Sequence, residues 1–200
     1  MAEEIIPRYE FRTFAQSFGL VEERIRQRPC ENVRESEDVY VLSTATNEHN
    51  TKIRDEKMDI KVFVREAQGL EQWRPRTKVD FPIPAETIRE EIFPAFDVPV
   101  PQLARSIYTE TEFLDEVVWP HPELVVAKVY KLRFAFTVNG CITEIAHLLV
   151  NGAAIRTVAV ESEDPRAVLE AKGILGLDPY ENVNYLMALK RILGMGRRAE

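Results

Sequence analysis

Three long alternating runs joined by two Asn-Gly dipeptides constrain this chain more than any other feature. Residues 124–138, 141–150 and 153–162 are separated by Asn139-Gly140 and Asn151-Gly152. Both residue types tolerate the positive φ of a two-residue type I′ turn, so this pattern predicts an antiparallel meander. Asp164-Pro165 follows as an N-cap and first-turn proline, predicting a helix to about Gly173. A last amphipathic helix is expected over Glu181–Leu193.

The first half reads the same way. Residues 8–14 alternate like a strand, and 13–28 read as a helix with Phe14, Phe18, Val21 and Ile25 on one stripe. Glu37–Thr46 is extended. Lys52–Arg54 and Met58–Val64 flank the polar turn Asp55-Glu56-Lys57, a hairpin. Leu70–Val79 is extended, with Pro75 marking an edge, bulge or break. Residues 82–122 hold seven of the 12 prolines and predict two helices, about 85–93 and 101–117, as an insertion in one domain spanning 1–200. About eight strands result.

Within these strands charge recurs at a spacing of two: Arg8-Tyr-Glu10-Phe-Arg12, Asp59-Ile-Lys61, Arg74-Pro-Arg76-Thr-Lys78 and Lys131-Leu-Arg133. Alternate residues of a strand share a face. Tyr130, Leu132, Phe134 and Phe136 thus oppose Lys131, Arg133, Ala135 and Thr137. Met58, Ile60, Val62 and Val64 oppose Asp59 and Lys61. Periodicity alone allows two architectures. One is an open sheet with helices on its apolar face and a solvated charged face. The other closes the sheet into a barrel, with helices outside and the charges turned toward an interior that side chains fill or that holds one small ligand. Arg and Lys in such an interior suit phosphate oxygens, and the carboxylates Glu10, Glu144 and Glu161 are hard ligands of the kind Mg²⁺ or Mn²⁺ takes.

Composition narrows the function classes. The chain has 200 residues, 45% hydrophobic, and a net charge of −7. That balance argues against bulk binding of nucleic acid while leaving a local basic interior possible. No run approaches the ~20 apolar residues of a membrane span. The start, Met-Ala-Glu-Glu-Ile-Ile-Pro, lacks a basic region and a long apolar stretch, so no signal peptide is expected. Two cysteines, Cys30 and Cys141, make no disulfide framework, so a reducing cytoplasm is expected. His49, His121 and His147 share no metal-ligand spacing. Trp73 and Trp119 read as packing residues, and the Arg197-Arg198 tail as frayed.

Taken in order, these segments resemble the CYTH superfamily, the triphosphate tunnel metalloenzymes. Arg8-Tyr-Glu10-Phe-Arg12 stands where that family has Glu-x-Glu-x-Lys. Met58-Asp-Ile-Lys61-Val is similar to a strand that carries a tunnel cation, and Glu71–Lys78 to the strand after it. Lys131-Leu-Arg133 resembles the paired cations of the second half. Glu144-Ile-Ala146 and Ala159-Val-Glu161 stand where the family has two further acidic pairs. The resemblance implies an α+β fold, an eight-stranded antiparallel closed β-barrel with helices packed outside. It implies Arg12, Lys61, Arg76, Lys78, Lys131 and Arg133 as the phosphate-binding set, and Glu10, Glu144 and Glu161 as ligands of Mg²⁺ or Mn²⁺. The expected activity is binding of a phosphorylated small molecule or polyphosphate and its metal-dependent hydrolysis. Arg8, Ala146 and Ala159 replace one member of each acidic pair, which keeps two alternatives open: a binding module without chemistry, or an interaction domain with no small ligand.

Overall fold

The computed structural model describes residues 6–195. The opening residues and the Arg197-Arg198 tail lie outside the described residues. Eight strands form one closed antiparallel barrel: β1 (Tyr9–Ala15), β2 (Asn32–Ser43), β3 (His49–Arg54), β4 (Lys57–Ala67) and β5 (Leu70–Asp80), then, after a short pair β6 (Ile83–Pro84) and β7 (Ile107–Tyr108), β8 (Leu124–Val138), β9 (Cys141–Val150) and β10 (Ala153–Ser162). The order around the barrel is β1-β10-β9-β8-β2-β3-β4-β5, closed by β5 on β1.

The meander is as expected. Asn139 and Gly140 have φ of 51° and 72°, and Asn151 and Gly152 have 46° and 88°, the left-handed values that type I′ turns require. Asp55 and Glu56 adopt the same region in the β3–β4 hairpin, at φ 51° and 55°. Pro75 sits opposite Lys61 beside a register shift, so the bulge absorbs the missing donor.

Alternation sets what each face meets. Phe11, Phe136, Ile145, Val158 and Val160 point outward and pack under α1 (Leu20–Arg26) and α5 (Pro165–Leu175) through Val21, Ile25, Val168, Ala171 and Leu175. Val41, Ile53, Met58, Ile60 and Val126 also point outward. They meet Ile88, Ile92, Phe93, Phe96, Phe113 and Val117 of the proline-rich segment, so that segment shares a core with the barrel wall. It contains α2 (Ala85–Thr87) running through a π turn into α3 (Phe93–Phe96), and α4 (Glu110–Phe113) followed by a second π turn.

Helix α6 (Tyr185–Ile192) turns inward. Its Leu186 and Leu189 pack among Tyr40, Leu42, Ala127, Val129, Ala146, Leu148 and Val150, residues on the same face as Lys131 and Arg133. One part of the barrel interior is therefore an apolar plug.

Several boundaries differ from expectation. Residues 13–15 continue β1, because Phe14 belongs to its inward face and packs edge-on against Tyr185 at 5.3 Å. The helix starts only after Gly19, at φ 49°. The second helix of the proline-rich segment starts at Glu110 and not near 101, because Thr109 and Glu112 form a reciprocal capping box there. Asn184 caps α6 by accepting from the Met187 amide, which moves its start from 181 to 185.

Candidate functional site

Beside the α6 plug the interior turns polar. A cavity of about 220 Å³ is lined by Glu10 and Arg12 from β1, Asn50, Lys52 and Arg54 from β3, Lys61 from β4, Lys131 and Arg133 from β8, Glu144 from β9 and Glu161 from β10. Tyr40, Trp73, Asn184 and Tyr185 complete the wall. Six cations thus face three carboxylates. Strand alternation explains much of the set: Phe11, Ile53, Ile60, Ile145 and Val160, sequence neighbours of Glu10 and Arg12, Lys52 and Arg54, Lys61, Glu144 and Glu161, lie on the outward face in the apolar clusters under the helices.

Lys131 is the most enclosed cation, 2% exposed. Its ammonium donates to the Tyr40 hydroxyl at 2.6 Å, lies 2.9 Å from Asp38 Oδ2, and sits 4.0 Å above the Tyr185 ring. Burial pushes its pKa down to about 7, and the neighbouring Asp38 recovers only part of that shift. Asp38 is itself fully enclosed. Burial would raise its carboxyl, but two bonds donated by Arg54 and the charge of Lys131 hold it well below the usual carboxylate range. Lys52 lies 3.4 Å from Asp59. Burial and then Arg54 lower its pKa.

Asp38 and Asp59 thus offset three of the six cations. Two others are less compensated. No carboxylate among the described residues pairs with Lys61, and the nearest to Arg133 is Glu144 at 3.9 Å. Nε and Nη2 of Arg133 are buried with no hydrogen-bond partner among the described residues. The hydroxyl oxygen of Tyr185 is also buried without one. Orphaned buried donors are costly, and such groups in a native site call for a role, whether in strain, in chemistry or in holding a water, an ion or a ligand.

The carboxylates are engaged by guanidinium groups. Arg12 Nε donates to Glu10 Oε1 at 2.5 Å, and its Nη1 reaches Glu144 Oε1 at 3.3 Å. Arg8 lies 3.5 Å from Glu161. Burial pushes the Glu10 carboxyl up, and the adjacent Arg12 outweighs it and holds the group below its ordinary value. Glu161 stands directly opposite Glu10 in register. Burial and the facing Glu10 raise its carboxyl above the ordinary value, Arg12 and Arg8 notwithstanding.

The expected residues divide accordingly. Arg12, Lys61, Lys131 and Arg133 line the cavity, as do Glu10, Glu144 and Glu161. Arg76 and Lys78 are exposed and are not in the wall. Arg76 Nη1 sits 2.8 Å from His49 Nε2, and Lys78 lies opposite Asp59 in register. Sequence reasoning missed Asp38, Lys52 and Arg54, although Asp38-Val-Tyr40 and Lys52-Ile-Arg54 carry the same spacing of two. It also missed Asn184 and Tyr185, which arrive from α6. Trp73 packs edge-on against Phe63 at 5.4 Å, yet it also faces the cavity and donates to Glu71.

The three carboxylates do not suit Mg²⁺ or Mn²⁺ as they stand. Among the described residues, no three His, Cys, Asp or Glu side chains come together to hold an ion. Arg12 lies between two of the three candidates. Also among the described residues, no helix is long and apolar enough to cross a membrane.

Comparison with solved structures finds the same architecture. A protein from Hippeastrum, named for adenylyl cyclase and described as having a dominant triphosphatase activity, superposes with a TM-score of 0.51 at 12% identity, over 96% of this chain and 100% of that one. A Pyrococcus horikoshii protein superposes at 0.50 with 15% identity, over 90% and 97%. A conserved hypothetical protein of Pyrococcus furiosus does so at 0.50 and 15%, over 90% and 98%. No protein-family model matches the chain, nor does any curated protein sequence. At such identities the likeness speaks for the fold, and it extends along nearly the whole chain.

Proposed function

We propose that this chain, which has the closed tunnel fold of the CYTH superfamily, binds a triphosphate-type ligand in its cavity. The observation that carries the reading is Arg133, whose half-buried side chain lines the cavity with Nε and Nη2 buried and without partners among the described residues. Two oxygens of one phosphate would satisfy both, since guanidinium presents parallel donors matched to that geometry. Lys61 and Lys131 would add point charge, and the Tyr185 hydroxyl one further donor. Burial raises the Tyr185 phenol far above its ordinary pKa, so it keeps its proton. Ligands of this class include inorganic tripolyphosphate and the triphosphate end of a nucleotide. The Hippeastrum protein's described triphosphatase activity is consistent with that class.

Hydrolysis is a second reading, favoured by Glu161. Its raised carboxyl faces the ionised Glu10 across the strand pair, an arrangement able to hold a proton or orient a water. Phosphoryl transfer asks mainly for positioning and charge stabilisation, which the surrounding cations offer. No step is assigned to a metal.

The test is thermal stabilisation by tripolyphosphate, because a ligand that binds only the native state raises Tm. It is run in EDTA, Mg²⁺ and Mn²⁺, with phosphate release followed in parallel. We expect a concentration-dependent rise that K131A and R133Q diminish. No rise in any buffer would sink the reading. Phosphate release would separate an enzyme from a binding module.

A further inference from the structure

The pairing of carboxylates with arginines has a steric basis in the register. Arg12 on β1 stands opposite Ala159 on β10, and Ala159 stands opposite Glu144 on β9. The alanine methyl leaves a gap across β10. Through it the Arg12 guanidinium passes over Thr157, 3.5 Å from its hydroxyl, to reach Glu144. A carboxylate at 159 would occupy that gap. On the far side, Ala146 stands opposite Arg133 and is fully buried. Arg8 closes the set on Glu161.

The guanidinium is fixed as well as paired. Arg12 is 6% exposed, and it lies 4.6 Å above the Tyr185 ring. A divalent ion seeking Glu10 and Glu144 as ligands would have to displace a buried, charge-paired group. Breaking such a pair leaves uncompensated buried charge, a strongly unfavourable change. The guanidinium keeps its Nη2 donors beyond those spent on the carboxylates.

We propose that the cavity takes its phosphate ligand without a divalent cation, the Arg12 guanidinium serving as the built-in counter-charge of Glu10 and Glu144. This rests on the phosphate-binding reading above. It differs from the metal-dependent scheme that the family resemblance implies, and it follows from the Arg12–Ala159–Glu144 row.

The experiment uses the full chain and two probes, inorganic tripolyphosphate and Mn²⁺. Calorimetric titration with tripolyphosphate is run in EDTA and repeated with Mn²⁺. Electron paramagnetic resonance follows free Mn²⁺ added to the protein alone. We expect binding in EDTA that Mn²⁺ does not tighten, and a free-ion signal that the protein does not deplete. R12Q should weaken tripolyphosphate binding about tenfold or more, a loss of at least ~1.4 kcal/mol. It should also begin to deplete the Mn²⁺ signal. Binding that occurs only with Mn²⁺, or stoichiometric retention of Mn²⁺ by the unsubstituted protein, would overturn the proposal and leave the phosphate reading standing. No binding in either buffer would overturn both. These wild-type titrations decide the matter even where R12Q does not fold.

Discussion

Replacing Lys131 by methionine, similar in length and uncharged, separates what this side chain does to the fold from what it does in the cavity. Its amine has a pKa of about 7 in the folded chain against an ordinary value of 10.5, with burial the leading cause. At 1.36 kcal/mol per pKa unit, the charged form disfavours the native state by about 5 kcal/mol at and below neutral pH. K131M removes that term. It also deprives the Tyr40 hydroxyl and Asp38 of a donor, a loss of about 1–3 kcal/mol. Asp38 keeps both bonds from Arg54. The expected net gain is roughly 2–4 kcal/mol at pH 7, and for a chain of this size roughly 4–16 °C in Tm. The sign with pH follows from proton counts. The native pKa lies below the unfolded one, so between pH 7 and 10.5 the unfolded chain binds more protons at this residue. Wild-type stability should therefore rise with pH through that window relative to K131M, and the two should run parallel below pH 7. The assay is denaturant unfolding of both proteins from pH 6 to pH 10, with tripolyphosphate stabilisation at each pH. A K131M protein that melts below wild type at pH 7, or one that keeps full tripolyphosphate stabilisation, would refute the reasoning.

Three further outcomes are expected. R133Q should weaken tripolyphosphate binding by about tenfold or more by calorimetry, in line with ~1.5–3 kcal/mol for hydrogen bonds to charged groups, while leaving Tm without ligand within a few degrees. R76A and K78A, outside the cavity wall, should each change that affinity by less than about twofold, since exposed charges act weakly through salt. L189A in the α6 plug should destabilise by about 2–5 kcal/mol in urea, the usual range for a buried leucine, because Leu189 is fully enclosed among barrel residues.

Much of the barrel could be read from residue order. The Asn-Gly turns and strict alternation defined β8, β9 and β10 to the residue, because turn chemistry and face pattern agree there. Alternation alone could not tell an open sheet from a closed barrel. Closure depends on β5 meeting β1 through Glu10 and Glu71, a contact between distant segments with no local signature. The site was legible wherever a cation or carboxylate sat on a strand at a spacing of two, as with Lys131 and Arg133. Arg76 shares that spacing but is itself the bulged residue, without a ladder partner, and Lys78, opposite Asp59, is exposed; both stand outside the wall. Tyr185 was invisible for another reason: it enters from a helix, and helix periodicity says only that one face is apolar, not that it turns into a barrel.

The inward turn of α6 also orders events in time. The cavity wall draws on Glu10 near the start of the chain and on Asn184 and Tyr185 some 170 residues later. The β1–β10 seam likewise joins Tyr9 to Ser162. Contacts of such separation form late, since loop closure must precede their reward. A nascent chain still on the ribosome before residue 185 can have most of its wall and none of its floor. On the proposed function, tripolyphosphate binding would require α6 to be in place, and a chain cut before Asn184 should lose that stabilisation.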